Sequence, residues 1–200
     1  MTTWVDNPEG GRARGPAAVA RAWVEVLVRP TRFFQTGVAP GDQAPGLVFA
    51  VCVAVAFAGS RFVLDPATIP TAFGGPGVSA AVSLLFVAVF VAPAALHLTA
   101  ALQTVLLILL VRDRAGISET VQVLAYASAP CALAGAPVPA LRAVCALYGA
   151  GLLALGIREV HDTTTGRAVA ATALPAALVF GYGFRGFAAA ETLLAQWYVI

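Results

Sequence analysis

From Ser79 to Val111 the chain runs for 33 residues without one charged side chain. As a helix this stretch is about 50 Å long, against a bilayer hydrocarbon core of about 30 Å. In water such a helix would expose apolar surface on most of its perimeter. In lipid it is one of the few structures whose backbone groups are all satisfied internally. The rest of the chain agrees: 60% of its residues are hydrophobic and 11% are charged, where a soluble domain carries about 25% charged residues. The expected fold is therefore all-α, a polytopic membrane helix bundle with the lipid bilayer as its first partner. The net charge of +2 says little by itself, because placement matters more than the total; no nucleic-acid partner is expected.

Arginine placement decides how the apolar runs cross. All twelve basic residues are arginine. If residues 79–111 form one span, then Arg12, Arg14, Arg21, Arg29, Arg32, Arg112, Arg114, Arg158 and Arg167 share the side of the N-terminus, and only Arg61, Arg142 and Arg185 face the other way. Two short spans turned at Pro93 would move Arg112 and Arg114 across and erase the asymmetry. The positive-inside rule selects the first arrangement. It gives five transmembrane helices at about 46–64, 79–111, 118–135, 138–157 and 168–187, with Pro93 as the expected kink in the long one. Residues 1–45 are then a cytosolic N-terminal segment, 46–187 the membrane domain, and 188–200 an external C-terminal tail, in a protein integral to the plasma membrane. Pro137 and Pro139 punctuate a tight hairpin between the third and fourth spans. Pro130 lies inside the third, which should be bent and packed within the bundle so that neighbours cover its freed carbonyl.

Small residues let helices approach in lipid. Ala50, Ala54 and Ala58 form one such stripe and Ala146, Ala150 and Ala154 another, with Cys145 and Gly149 beside it. In an alanine-rich chain each is as readily chance as a contact face.

The leading segment "PAAVARAWVEVLVRPTRFF" has a different pattern. Arg21, Glu25 and Arg29 recur every four residues, opposite Val19, Trp23, Val26 and Leu27. This predicts an amphipathic helix over about 16–29, begun at Pro16 and ended near Pro30. Its expected seat is the inner membrane interface, with Trp23, Phe33 and Phe34 among the headgroups and Arg21, Arg29 and Arg32 reaching anionic lipid or a cytosolic partner. Packing on the cytosolic ends of the spans is the alternative.

Polar residues inside the apolar runs are few. His97 and Gln103 in the second span, with Gln122 and Tyr126 in the third, could line an intramembrane polar seam, hence a narrow pore or cleft. Ordinary interhelical hydrogen bonding, worth about 0.6 kcal/mol per pair, is the simpler reading. His161 sits in the charged "REVHD" turn at the inner end of the fourth span, where a solvated loop is expected and not a metal or acid/base cluster. Cys52, Cys131 and Cys145 show no ligand-like spacing with either histidine, so no metal and no cofactor are expected. No Asp or Glu lies deep in a span to relay protons, and no catalytic constellation is present.

The order "LVRPTRFF", a long span containing "APAALHLTAAL", then "SETVQVLAYASAPCALAGAPVPALRAVCALYGAGLLALGIREVHDTTTGRAVAATALP" resembles the Yip-one domain family, the Ypt/Rab-interacting integral membrane proteins, with a leader similar to the prokaryotic branch. The resemblance implies five transmembrane helices, a cytosolic N-terminus and no enzymatic activity. The chain lacks the acidic, proline-containing cytosolic segment of the eukaryotic relatives, so a Rab-type GTPase is not its expected partner. The function expected is that of a non-enzymatic membrane organiser or adaptor working through its cytosolic face with an unidentified membrane or cytosolic protein. A small transporter or channel built on the polar seam is the competing class.

The five-span arrangement makes a topological prediction. Single cysteines at Thr3 and Thr164 should be shielded from an impermeant thiol reagent in intact cells, whereas one placed after Tyr198 should be labelled. Labelling of position 164 from outside would eliminate the arrangement.

Overall fold

The computed structural model describes residues 15–198, and every regular element among them is helical. Prolines open most of the helices. They stand at the first or second position of α1 (Pro16–Val28), α2 (Pro30–Gly37), α3 (Ala44–Leu64) and α4 (Pro76–Phe86), where the missing N–H has no intrahelical partner to lose. A π turn at Val87–Val91 joins α4 to α5 (Ala92–Leu110), and the two run as one helix of 35 residues from Pro76 to Leu110. Pro93 follows that turn directly. The widened turn makes room for a ring that would otherwise strike the preceding carbonyls.

After α5 the chain forms α6 (Ile117–Ala127), which tightens into a 3₁₀ segment at Ala129–Leu133. Pro130 supplies no amide to the Tyr126 carbonyl four residues back, and the helix changes its winding at that point. The chain then turns through Ala134–Val138 into α7 (Pro139–Val160). Next comes α8 (Thr165–Ala176), continued by a π segment at Ala177–Gly183. A break at Arg185, held at φ 60°, leads to α9 (Gly186–Trp197), which is bent by 71° from the helix before it. Residues 188–197, expected as a tail, are thus helical, and Gly186 sits close enough to Ala146 that an added Cβ would lie 2.7 Å from that methyl group.

Three helices are long and apolar enough to cross a membrane: Ala44–Leu64, Pro76–Leu110 and Pro139–Val160. A fourth is gained if the bent α8–α9 pair counts as one span. The centre of the bundle is α6, every residue of which from Thr120 onward, and through to Cys131, is buried. It packs against α3, α5 and α7, with α1 across its far end.

The lead segment differs most from its expected place. The buried stripe of α1 is Ala18, Ala22 and Val26, and the helix docks against the middle of the bundle. Trp23 Nε1 donates to the Ala129 carbonyl (2.8 Å) and Tyr148, halfway along α7, donates its hydroxyl to the Leu27 carbonyl (2.5 Å). The latter bond satisfies an end-of-helix acceptor. Phe33 and Phe34 are 1% and 2% exposed, so they are core residues and not headgroup anchors. Phe33 meets the Tyr126 ring edge-on at 4.8 Å, and Phe49 meets it from the other side at 5.1 Å. Small residues in α7 admit these rings: a Cβ at Gly156 would stand 2.9 Å from Phe34, and one at Gly149 would stand 2.5 Å from Phe180.

Of the two alanine stripes, that of α3 is not the buried row, although Ala50 packs against the core. The residues of α3 buried at helical spacing are Phe49, Val53 and Phe57, whereas Ala50, Ala54 and Ala58 are half-buried. On α7 the buried row includes Cys145, Ala146, Gly149 and Gly156.

The hairpin after α6 is held closely. A Cβ at Gly135 would overlap Ser60 Oγ and the Phe57 carbonyl oxygen, while Arg142 donates from Nε to Ala134 O (2.9 Å) and from Nη2 to Ala136 O (3.0 Å). Gly135→Ala should therefore cost about 1–3 kcal/mol, the usual range for overpacking, seen as a lowered Tm in detergent. Gly151→Ala, where a Cβ meets nothing within 4 Å, should leave Tm unchanged or raise it.

Candidate functional site

The polar residues of the expected spans have separate partners, and Gln103 Oε1 is buried without one. Pro175 in α8 deprives the Ala171 carbonyl of its helical donor, and Gln103 fills the gap: its Nε2 lies 3.0 Å from Ala171 O. Gln122 pairs with a peptide unit as a second backbone would. Its Oε1 accepts from Ala39 N–H (3.1 Å) and its Nε2 donates to Ala39 O (2.7 Å) and to Ser118 O (3.2 Å). It thereby pins the α2–α3 connection to α6. Tyr126 is enclosed by Phe33 and Phe49. His97 lies exposed on α5 with Nδ1 2.8 Å from its own helix's Pro93 carbonyl. His97, Gln103, Gln122 and Tyr126 therefore do not share a seam, and the simpler reading, hydrogen bonding between elements, describes both glutamines. Gln103 faces α8, Gln122 faces the α2–α3 connection, and His97 faces outward. Each glutamine goes where a carbonyl or peptide lacks a partner, which single-helix spacing cannot reveal.

At one end of the bundle the connections α2–α3, α5–α6 and α7–α8 come together. Gln35 on α2 donates from Nε2 to Glu159 Oε2 (2.7 Å) at the end of α7, and Arg158 holds the other oxygen of the same carboxylate (Nε to Oε1, 2.9 Å). Arg32 lies one turn before Gln35 and Arg29 immediately before α2; both are exposed, as are Arg112, Arg114 and Arg167. Arg21 is exposed on α1. Arg12 and Arg14 lie outside the described residues. Three of the six residues expected to touch lipid or a partner thus present themselves, Arg21, Arg29 and Arg32. Trp23, Phe33 and Phe34 are instead turned inward as the means by which this segment is fastened.

His161, just past α7, is a residue that spacing alone assigned to a solvated loop, and the structure corrects this: it is 1% exposed. Thr120 gives its hydroxyl proton to the Gly116 carbonyl (3.1 Å), which leaves Oγ1 to accept from His161 Nε2–H at 3.4 Å. His161 Nδ1 is buried without a partner. Burial, with the nearby Arg114 charge as a second cause, pushes the imidazole down to about 4. No three residues among His, Cys, Asp and Glu come together as metal ligands among the described residues.

Long apolar helices around a buried central helix, and arginine-bearing connections gathered at one end, define a multi-pass membrane protein in contact with the lipid bilayer. A family model described as the Yip1 domain matches residues 24–185, and the chain belongs to that family. No match was found among curated proteins or solved structures.

A neutral buried histidine makes stability depend on pH. Its folded value, about 4, lies below the unfolded value of about 6.5. The stability it permits is complete above pH 6.5 and is lost as pH falls towards 4, by about 3 kcal/mol in all. Detergent-solubilised protein should lose Tm across that window, and His161→Gln should flatten the dependence.

Proposed function

We propose that this protein is a non-enzymatic membrane organiser or adaptor whose working surface is the arginine-bearing end of the bundle, placed in the cytosol. The observation that carries this reading is the convergence of three connections at that end, where Gln35 ties α2 to Glu159 at the end of α7, with Arg29, Arg32, Arg112, Arg114 and Arg167 exposed around them. Inside the bundle the Nε2 groups of Gln103 and Gln122 are given to its own backbone. A surface of arginines without deep ionisable groups suits recognition of anionic lipid or an acidic protein segment better than it suits solute movement. Since the polar residues do not share a seam, the small transporter or channel is the weaker reading.

In this proposal the chain crosses the bilayer of the plasma membrane five times, with a cytosolic N-terminus and an external C-terminus. The third crossing is α6 with its 3₁₀ extension. Counting about 1.5 Å per α-helical residue and about 2.0 Å per 3₁₀ residue, the segment from Ile117 to Leu133 is about 28 Å long, close to the hydrocarbon thickness. Its low hydropathy is compatible with this because it is surrounded by protein and not by lipid. The partner is an unidentified membrane or cytosolic protein, and a Rab-type GTPase is not part of the proposal.

Replacing Arg21, Arg29 and Arg32 together with glutamine should weaken binding to anionic vesicles or a cytosolic partner by about 1 kcal/mol per arginine, while membrane insertion is unchanged. His97→Ala should change neither. Binding that ignores the triple variant, together with solute uptake by purified protein in liposomes, would overturn the adaptor reading in favour of the transporter.

A further inference from the structure

Between α1 and α3 lies an open groove of about 860 Å³, within the range of about 300–1,000 Å³ typical of small-molecule sites. Its α3 wall carries Ala44, Val48, Cys52 and Ala56. These recur every four residues, so they form one row inclined across the face of the helix, about 18 Å long measured along its axis. Val19, Ala20 and Trp23 form the facing wall, and Ala132 of the 3₁₀ segment completes it.

The walls offer little to a polar ligand. Trp23 has already given its N–H to the Ala129 carbonyl, and Asp42, at the start of the strip, is the single carboxylate among the lining residues. α3 is one of the helices long and apolar enough to cross a membrane, and where it does so a groove along it lies at the depth of the hydrocarbon. Water there would face apolar walls and have too few polar partners to stay. Void is no better, since lining atoms without neighbours lose their dispersion contacts.

We infer that this groove is a lipid site that takes one acyl chain of a membrane phospholipid, laid lengthwise along the Ala44–Ala56 strip of α3 and covered by α1. The match is one of shape and chemistry: an extended chain is linear, apolar and without hydrogen-bonding demands, and the row of α3 side chains is long, narrow and apolar. Since α1 is also fastened by Tyr148 and by its buried Ala18–Ala22–Val26 stripe, the site has a built wall and is distinct from the annular lipid around α5. The inference rests on α3 spanning the bilayer and is independent of the adaptor reading.

The test uses full-length protein in phosphatidylcholine vesicles doped with a phospholipid carrying a photoactivatable group in its acyl chain. After irradiation, cross-links mapped by peptide mass spectrometry should concentrate on residues 19–23 and 48–56. Cys52→Trp, which fills the strip, should abolish them, and Leu98→Trp on the exposed side of α5 should leave them intact. If Cys52→Trp does not fold, the wild-type map decides alone, supported by quenching of Trp23 by brominated acyl chains in a Trp4→Phe, Trp197→Phe background. Labelling spread evenly over exposed positions such as Leu98 and Val105 would overturn the site. So would labelling that appears only when residues 1–14 are deleted, or a Cys52–Cys52 disulfide between copies in the vesicle, since either would give the groove to protein.

Discussion

A carbonyl oxygen inside an apolar bundle must be answered from within the protein, and the structure is arranged around meeting that demand. Pro175 frees the Ala171 carbonyl, which Gln103 answers from α5. The end of α1 leaves the Leu27 carbonyl open, and Tyr148 answers it from α7. Where α6 passes Pro130 and tightens, Trp23 reaches the Ala129 carbonyl from α1. The hairpin carbonyls of Ala134 and Ala136 take both available edges of Arg142. In each case the donor belongs to a different helix or turn from the acceptor. In lipid, where no solvent drives one apolar surface onto another, such pairings determine which helix lies beside which.

These pairings also explain which parts of the structure were legible in the sequence. The uncharged run from Ser79 to Val111 and the apolar stretches around it marked a membrane bundle without any help from structure, and the "APVP" turn marked a hairpin. Pro130 indicated a third segment that had to be enclosed, and residues 120–131 are enclosed. What could not be read was direction. In a soluble helix an apolar stripe points to the core, but where the surroundings are apolar too, a leucine facing lipid and a leucine facing protein look alike. Thus Ala50, Ala54 and Ala58 were as eligible a contact face as Phe49, Val53 and Phe57, and only the second set is fully buried.

The polar residues illustrate the same limit from the other side. His97, Gln103, Gln122 and Tyr126 are close in sequence register, which suggested a common seam. Their actual partners are set by events elsewhere in the chain: a proline 72 residues beyond Gln103, and an unpaired peptide at Ala39, 83 residues before Gln122. His161 was misjudged because a charged turn is ordinarily wet. Its burial follows from Thr120 on α6 standing directly against it, a tertiary contact with no local signature.

The lead segment connects this framework to the arginine-bearing end. Read as an amphipathic helix on a membrane surface, it could detach without disturbing the spans. As folded, it cannot. Phe33 and Phe34 enter the core beside Tyr126, Val123 and the hollow left by Gly156, Gln122 grips the peptide that follows α2, and Gln35 ties α2 to the carboxylate at the end of α7. Arg29 and Arg32 are thus mounted on a short helix whose opposite face is part of the hydrophobic core. Displacing α2 would expose two phenylalanines and strip Gln122 of two partners, each an unfavourable change of order 1–3 kcal/mol. Whatever binds those arginines therefore meets a surface whose geometry is set by the packing of α6 and α7, and a ligand that shifted α2 would have to shift that packing with it.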